Sequence, residues 1–553
     1  MEIFLLQDSK DINFYENIKN HKKIFILPLS LSGLVECETK NYKYLNPANF
    51  YPSKFHKKNL LMSEKFEKNI VFSSKIQKYT KEEILVYLKF RFNSVIFLKD
   101  LLNSINKKKK IKKIFLPNKN YEKHQIDTFF LNEIFDLYLK NYKIKKVSIL
   151  KPNEIEKNNF NRNYAYLIKN KINKNKKNVL LNDLGYNLKR ILYLKKFKNI
   201  NLYFFSEGKL GKLKWFLMKI LKIYPIKLTK VYLKNTNKSY FANVKKDFLG
   251  RDFNKLFFVL LKKFNFYFND YERKGKAIKH FFFKNKFDLI IINSVRGVSR
   301  LIDENRGAKQ KLLNIPHGTV SENYDKYDKI YKNNIAKSVV SQKADYVMAQ
   351  SQISEKFFLS KNYKKKQILL GNLIFSEAKQ TDKDFILYAV TTKQFFNMHF
   401  LGVDMFYEFY ENLKFLNKIS KLSNLKIVVK LHPSESNNLP DLSKIFKNIY
   451  FSNLSLDKLL KKSSVTLSFS STVIEDSLNS RVPVILFDRW NRYKHFRVDK
   501  YEGKKFPIFY INNENKLMNC INRIIKTPKF EFEKIIFQKN FKNNIKQNIS
   551  NLI

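Results

Sequence analysis

The feature that most constrains this chain is an alternation running through most of its length, in which short apolar runs rich in Ile, Val, Leu and Phe are each followed by a longer stretch of helical period. A short continuous apolar run marks a strand buried on both faces, and strands separated by helices mark βα units wound around parallel sheets. The runs fall into two series. The first holds residues 24–27, 114–116, 147–150, 179–181 and 202–205, and closes with 288–293, 313–316 and 345–349. Gly371-Asn372 and the polar stretch 376–384 then interrupt the pattern as a linker. The second series follows at 385–389, 425–430, 465–469 and 482–487. The expected fold is α/β, with two Rossmann-like domains facing a cleft. The first spans residues 1–375, with 1–150 either an extra N-terminal module or the first half of the same unit. The second spans 381–527, and a basic helix over 528–553 packs back across the first.

A length of 553 residues suits two or three cores. The 107 Lys+Arg against 48 Asp+Glu leave a formal charge of +59, which ordinarily points to polyanions. Here the basic residues are mostly Lys, dispersed and mixed with Asn, Ile and Phe, as A/T-rich codons would produce. After codon bias, attachment to an anionic membrane face accounts for them better than specific nucleic-acid recognition. Cys37 and Cys520 are too isolated for a disulfide framework or a cysteine zinc site and read as reduced structural thiols. The opening Met-Glu-Ile-Phe-Leu-Leu-Gln-Asp is not a secretory signal. Residues 83–102 and 255–268 are interrupted by polar side chains before the roughly 20 apolar residues a membrane span needs, so they read as buried helices. The expected location is cytoplasmic, peripheral to the inner face of the cell membrane.

Ligands of open α/β sheets bind beyond the carboxyl ends of strands, so the residues just after each apolar run carry the most information. In the second series, the run ending at Lys430 enters Leu431-His432-Pro433. There Pro433 disfavours helix at His432 and holds an imidazole at the sheet edge as a hydrogen-bond donor to a phosphate or an ordinary strand-end His. The run ending at Phe469 enters Ser470-Ser471-Thr472 and then a helix. Backbone N–H groups, the helix dipole and the hydroxyls would together receive a phosphate. Thr472 and Glu475 also spell a capping box. Asp488, after the next strand, lies at the periphery of the same site or is a plain loop carboxylate.

In the first series, His317-Gly318-Thr319 follows Leu313-Asn-Ile-Pro316 and offers a general base beside a glycine that permits close approach. Asp183 after 179–181 and Glu207 after 202–205 compete for the role of base, and either is equally readable as a turn or cap residue. No Asp-x-Asp stands at a strand end, so no metal and no cofactor are expected.

From Ile315 onward the chain resembles the bacterial GT-B transferases that build surface polymers from cytidine-activated donors, namely CDP-glycerol glycerophosphotransferases and the sialyl- and polysialyltransferases. The resemblance is carried in order by His317-Gly318-Thr319, by 344–351 with Phe357, by Gly371-Asn372, by 386–389 with Thr391, by His432-Pro433, by Ser470-Ser471, and by 481–485 with Phe487-Asp488. It covers about residues 313–498. Where the glycerophosphotransferases continue their His-Gly turn with Pro and Lys, this chain has Val320-Ser321. Glu207-Gly208 is similar to the acidic-Gly motif of the sialyltransferases without its second acidic residue.

The resemblance implies a metal-independent transferase with a nucleotide-activated donor, CMP-sugar or CDP-polyol ahead of UDP-sugar. The donor phosphate would be held by His432, Ser470, Ser471 and Thr472, with Pro433, Glu475 and Asp488 around it. His317 or Glu207 would be the base. The acceptor would be a surface polysaccharide or lipid-linked glycan. A non-catalytic protein binding polyanions or anionic membranes, and a nucleotide-sugar epimerase on the same fold, are the alternative readings.

Overall fold

The computed structural model describes residues 1–51, 54–72, 74, 76–117, 146–150, 164–170, 172–173, 175–183, 188–197, 199–206, 216–218, 220–232, 242–244, 251–389, 392–393, 404–423, 425–431, 441–497, 505–527, 529–537 and 540–553. Three parallel sheets organise them.

The first sheet is made of β1 (Glu2–Leu6), β2 (Phe25–Pro28), β3 (Lys113–Pro117) and β4 (Lys146–Leu150) in the order β2-β1-β3-β4. The second contains β5 (Lys177–Leu181), β6 (Ile200–Ser206), β7 (Ile223–Lys227), β8 (Leu289–Ile292), β9 (Lys311–Asn314), β10 (Tyr346–Ala349) and β11 (Ile368–Leu370). Their spatial order is β11-β10-β9-β8-β5-β6-β7. The third contains β12 (Phe385–Ala389), β13 (Ile427–Lys430), β14 (Tyr450–Phe451), β15 (Ser463–Ser468), β16 (Val484–Phe487) and β17 (Ile508–Ile511), ordered β14-β13-β12-β15-β16-β17. In both large sheets the chain starts at the centre, winds outward for three strands, returns to the centre and winds the other way. This is the Rossmann order, with a topological switch between β5 and β8 and another between β12 and β15. The central strands read as unbroken apolar runs because helices cover both faces, and β8, β12 and β16 are buried at every position.

The strands of the first series therefore do not share one sheet. Residues 24–27, 114–116 and 147–150 join β1 in a sheet of their own, and β8 pairs with β5 through Leu289 and Val179. Local periodicity marks a strand and carries no record of its partner. Strand β7 is absent from the sequence expectation because Pro225 interrupts it. It is the edge of its sheet, paired only with β6, where a missing N–H is tolerated.

Two helices tie these sheets to the site. Helix α1 (Lys54–Asn69) packs on α2 (Lys78–Lys109), where Phe66 stacks on Phe92 with ring centroids 4.5 Å apart and buried Lys89 pairs with Glu64 at 2.8 Å. Helix α3 (Arg251–Lys284) runs beside α2 and leads into β8, and α4 (Val298–Asn305) follows it. Buried Glu83 of α2 accepts hydrogen bonds from the Gly297 N–H at 2.7 Å and from Arg300 Nε at 3.0 Å, which pins the start of α4. Gly297, the residue before α4, has φ 55°, a conformation for which glycine is suited.

The first sheet packs on the third through α5 (Phe406–Ser423), whose Phe406, Tyr407, Phe409, Tyr410, Leu413 and Leu416 are buried in one core with Ile3, Leu5, Val465 and Leu467. At its centre buried Arg492 pairs with Glu408 of α5, which lies 3.6 Å from His56 of α1. Beyond the short helix α6 (Val473–Asn479), the chain ends in α7 (Asn540–Leu552). Ile545 and Ile549 of α7 are buried against the seven-stranded sheet, and its Lys546 carbonyl accepts from the Tyr193 hydroxyl at 3.1 Å. Cys37 and Cys520 are free and buried. Among the described residues no helix is long and apolar enough to cross a membrane.

Candidate functional site

At the carboxyl edge of the seven-stranded sheet the ladder continues past β9. The Ile315 N–H donates to the Ile292 carbonyl at 2.8 Å and the His317 N–H to the Asn293 carbonyl at 3.0 Å. Pro316 between them is held by Gln350 Nε2 on its carbonyl at 2.8 Å. His317 Nδ1 lies 3.1 Å from the same Asn293 carbonyl. A carbonyl can only accept, so Nδ1 carries the proton and Nε2 presents its lone pair, 3.4 Å from Arg296 Nη2. Burial, and then the Arg296 charge, push His317 from its usual 6.5 down to about 4, so the imidazole is neutral near pH 7.

Arg296 is itself lowered, chiefly by burial. Glu83 acts on it from nearby, yet its oxygens accept from Gly297 and Arg300. Across the switch, Asn182 at the end of β5 donates through Nδ2 to Asn293 Oδ1 at 3.0 Å and to Ser299 Oγ at 2.7 Å. The Asn293 N–H returns a bond to Asn182 Oδ1 at 3.1 Å. Asp183 stands next to this pair, half-buried, accepting from Asn182 Nδ2 at 3.2 Å.

In the third sheet, Ser468 closes the switch by donating to the Ala389 carbonyl at 2.7 Å. Ser470 follows with a buried Oγ that has no partner, and Ser471 Oγ accepts from the Val473 N–H at 3.4 Å. The capping box spelled by Thr472 and Glu475 does not form. Thr472 sits in the αR region at φ −62°, ψ −10°, and its side chain caps nothing. Glu475 turns away from its own helix. Its Oε1 accepts from the Thr319 N–H at 3.2 Å and from His495 Nε2 at 2.8 Å. The Ser321 hydroxyl donates to the His495 carbonyl at 3.0 Å, so the loop after β16 is fastened to the same turn. A Cβ placed on Gly318 would touch Thr472 Cγ2 at 3.7 Å, an ordinary van der Waals contact that brings the His317 and Ser470–Thr472 turns to one seam.

Helix α6 carries Glu475 and Asp476 in its first turn, which offsets the positive end of its dipole. Burial pushes Asp476 up to about 7, and it accepts from the Ser376 N–H at 2.6 Å, anchoring the segment between the two large sheets. Thr319 Oγ1, Ser470 Oγ and Glu475 Oε2 are all buried along the seam without partners. Unpaired buried polar atoms are costly, and these three lie where the two sheet edges meet.

Asp488 faces inward. One oxygen accepts from the Arg492 N–H at 2.5 Å, the Tyr493 N–H at 2.9 Å and the Tyr510 hydroxyl at 3.3 Å, which makes it the organiser of the loop after β16. Its carboxyl is raised to about 6 by burial. His432, Pro433 and Glu207 lie outside the described residues. Strand β13 ends two residues before His432 and β6 one residue before Glu207, each at the carboxyl edge of its sheet. Sequence reasoning missed Arg296, Asn182, Asn293 and His495. Arg296-Gly297 also follows an apolar run and precedes a helix, the signal that selected the other turns. His495 has no such local mark. Among the described residues no three His, Cys, Asp or Glu side chains converge as metal ligands would.

These features define a class: an α/β chain of two doubly wound parallel sheets, whose carboxyl edges meet through the Thr319–Glu475 contact. No family model and no curated protein matches the chain. Among solved structures it is similar to TarM, with 12% identity over 68% of this chain and 98% of that one and a TM-score of 0.38. It is also similar to Anabaena HepE in complex with UDP (12% identity, 68% and 100% covered, TM-score 0.34) and to the wall teichoic acid polymerase TagF (15%, 68% and 88%, 0.37).

Proposed function

We propose that this chain is a transferase that moves a glycosyl or polyol-phosphate group from a nucleotide-activated donor to a hydroxyl of a surface polysaccharide or lipid-linked glycan, working at the inner face of the cell membrane. The observation that carries the reading is the contact of the two switch-bearing sheet edges at Thr319 and Glu475. It brings the turn that carries a neutral imidazole beside an arginine to the turn that carries an unpartnered serine hydroxyl.

In this reading the unit ending near residue 375 receives the acceptor and residues 381–527 receive the donor, of cytidine type ahead of uridine type. The acceptor hydroxyl gives its proton to His317 Nε2, which must first part from Arg296, or to Glu207 or Asp183. The freed oxygen attacks the transferred carbon or phosphorus, and the bond to the nucleotide phosphate breaks. The departing phosphate takes hydrogen bonds from Ser470, with Ser471, Thr472 and His432 around it.

The test is calorimetric titration with CMP, CDP, UDP and GDP of the parent chain, Ser470→Ala and His432→Ala at physiological salt. Selective cytidine binding weakened at least tenfold in both variants supports the reading, and uridine selectivity changes its donor. Equal, weak binding of all four with steep salt dependence overturns it in favour of a charge-driven polyanion binder.

A further inference from the structure

Among the described residues, one group of large apolar side chains is turned outward. Just before β7, residues 216–218 are helical, and Met218 packs on the core of the seven-stranded sheet. Around it Phe216, Leu217, Ile220 and Leu221 are 60%, 50%, 61% and 47% exposed, the densest run of exposed large apolar side chains along the described sequence. A monomeric water-soluble surface scatters such residues singly, and grouping marks a docking surface.

Position and charge narrow the partner. Lys222 is exposed at the amino end of β7, and its carbonyl accepts from the Leu202 N–H of β6 at 3.2 Å. The neighbouring turn, just before β6, carries exposed Lys195 and Lys196 with Phe197 45% exposed. The apolar group and a basic rim thus share the amino edge of β6 and β7, opposite the carboxyl edge that bears His317. From Gly208 to Lys246 the sequence contains no Asp or Glu. Apolar side chains beside lysines, in a stretch of sequence without Asp or Glu, suit the headgroup layer of a bilayer: the rings and aliphatic chains enter the interface and the ammonium groups meet lipid phosphates.

We infer that Phe216, Leu217, Ile220 and Leu221, with Lys195, Lys196 and Lys222, form the surface by which this chain docks on an anionic lipid bilayer. Docking there leaves the opposite edge, which bears His317, facing away from the bilayer. The inference rests on the membrane placement proposed above and not on transfer chemistry, so vesicle binding and nucleotide binding are read separately.

The experiment is sedimentation of the full chain with phosphatidylcholine vesicles, with and without phosphatidylglycerol. It compares the parent, a Phe216→Ser/Leu217→Ser/Ile220→Ser/Leu221→Ser variant, and a Lys195→Glu/Lys196→Glu/Lys222→Glu variant, with melting curves confirming that each is folded. A Trp490→Phe background leaves Trp215, next to Phe216, as the single tryptophan reporter. The expected result is binding to the anionic vesicles, at least tenfold weaker in either variant, with a blue shift of Trp215 emission in the parent alone. The inference is overturned if the serine variant binds as well as the parent, since diffuse charge then suffices. No vesicle binding by the parent overturns it too, as does a parent dimer that the serine variant converts to monomer, which assigns the patch to a second copy of the chain.

Discussion

Glu475 accepts a hydrogen bond from the Thr319 N–H at 3.2 Å across 156 residues of chain, and the same oxygen accepts from His495. One carboxylate thereby joins the first residues of α6 to the His317 turn and to the loop after β16.

Replacing Glu475 by alanine orphans two donors at once, at a cost of about 1–3 kcal/mol for buried unpaired groups. Glu475→Gln keeps an acceptor oxygen and is expected to lose less than half as much. Denaturant midpoints of the two variants measure the difference; equal losses would mean that the acceptor is not what matters.

The Arg296 charge helps to hold His317 at about 4. Arg296→Gln is expected to raise it toward the usual 6.5, followed through the imidazole Cε1–H resonance that disappears in His317→Asn. At pH 5 the ring would then be neutral in the parent and increasingly protonated in the variant. An unmoved titration would leave burial as its sole cause.

Asp476 at about 7 and Asp488 at about 6 both lie above the usual 3.8. Between pH 3.8 and those values the folded chain binds more protons than the unfolded chain, so these groups make stability fall as pH rises through that window. His317, depressed from 6.5 to about 4, acts the other way, and its contribution is lost as pH falls from 6.5 toward 4. Asp476→Asn keeps an acceptor for the Ser376 N–H and removes the ionisation. It is expected to leave stability at pH 4 nearly unchanged and to raise it by up to a few kcal/mol at pH 8, measured by melting at both pH values.

Glu408 pairs with buried Arg492 and faces His56, joining α5, the loop after β16 and α1. Glu408→Ala removes the carboxylate paired with the buried Arg492 guanidinium and is expected to cost about 3–5 kcal/mol. Urea unfolding measures the loss. A loss below about 1 kcal/mol would show that Arg492 finds another partner or water.

Strand positions were legible because burial on both faces leaves an unbroken apolar run, as at 385–389 and 484–487. Strands that break the run escaped notice, such as β7 with Pro225 and the two-residue β14, and so did the unbroken runs of β1 and β17. The turns at His317 and Ser470–Thr472 were legible because each follows such a run. Glu475 was misread. Its three-residue spacing from Thr472 suggests a cap, yet the carboxylate finds stronger partners in the Thr319 N–H and His495, which no local pattern can reveal.

The sequence by itself determined the kinds of element, their order and the polar residues that end the strands, since these follow from periodicity and burial over a few neighbouring residues. Only the tertiary structure decided that β1 to β4 leave the second sheet and pack on the third. It alone set Arg296 against His317 and brought the two switch edges together at Thr319 and Glu475. Those contacts join residues from 21 to several hundred positions apart. They depend on which buried faces fit one another and which unpaired donors find an acceptor, and neither is written in the local pattern of either partner.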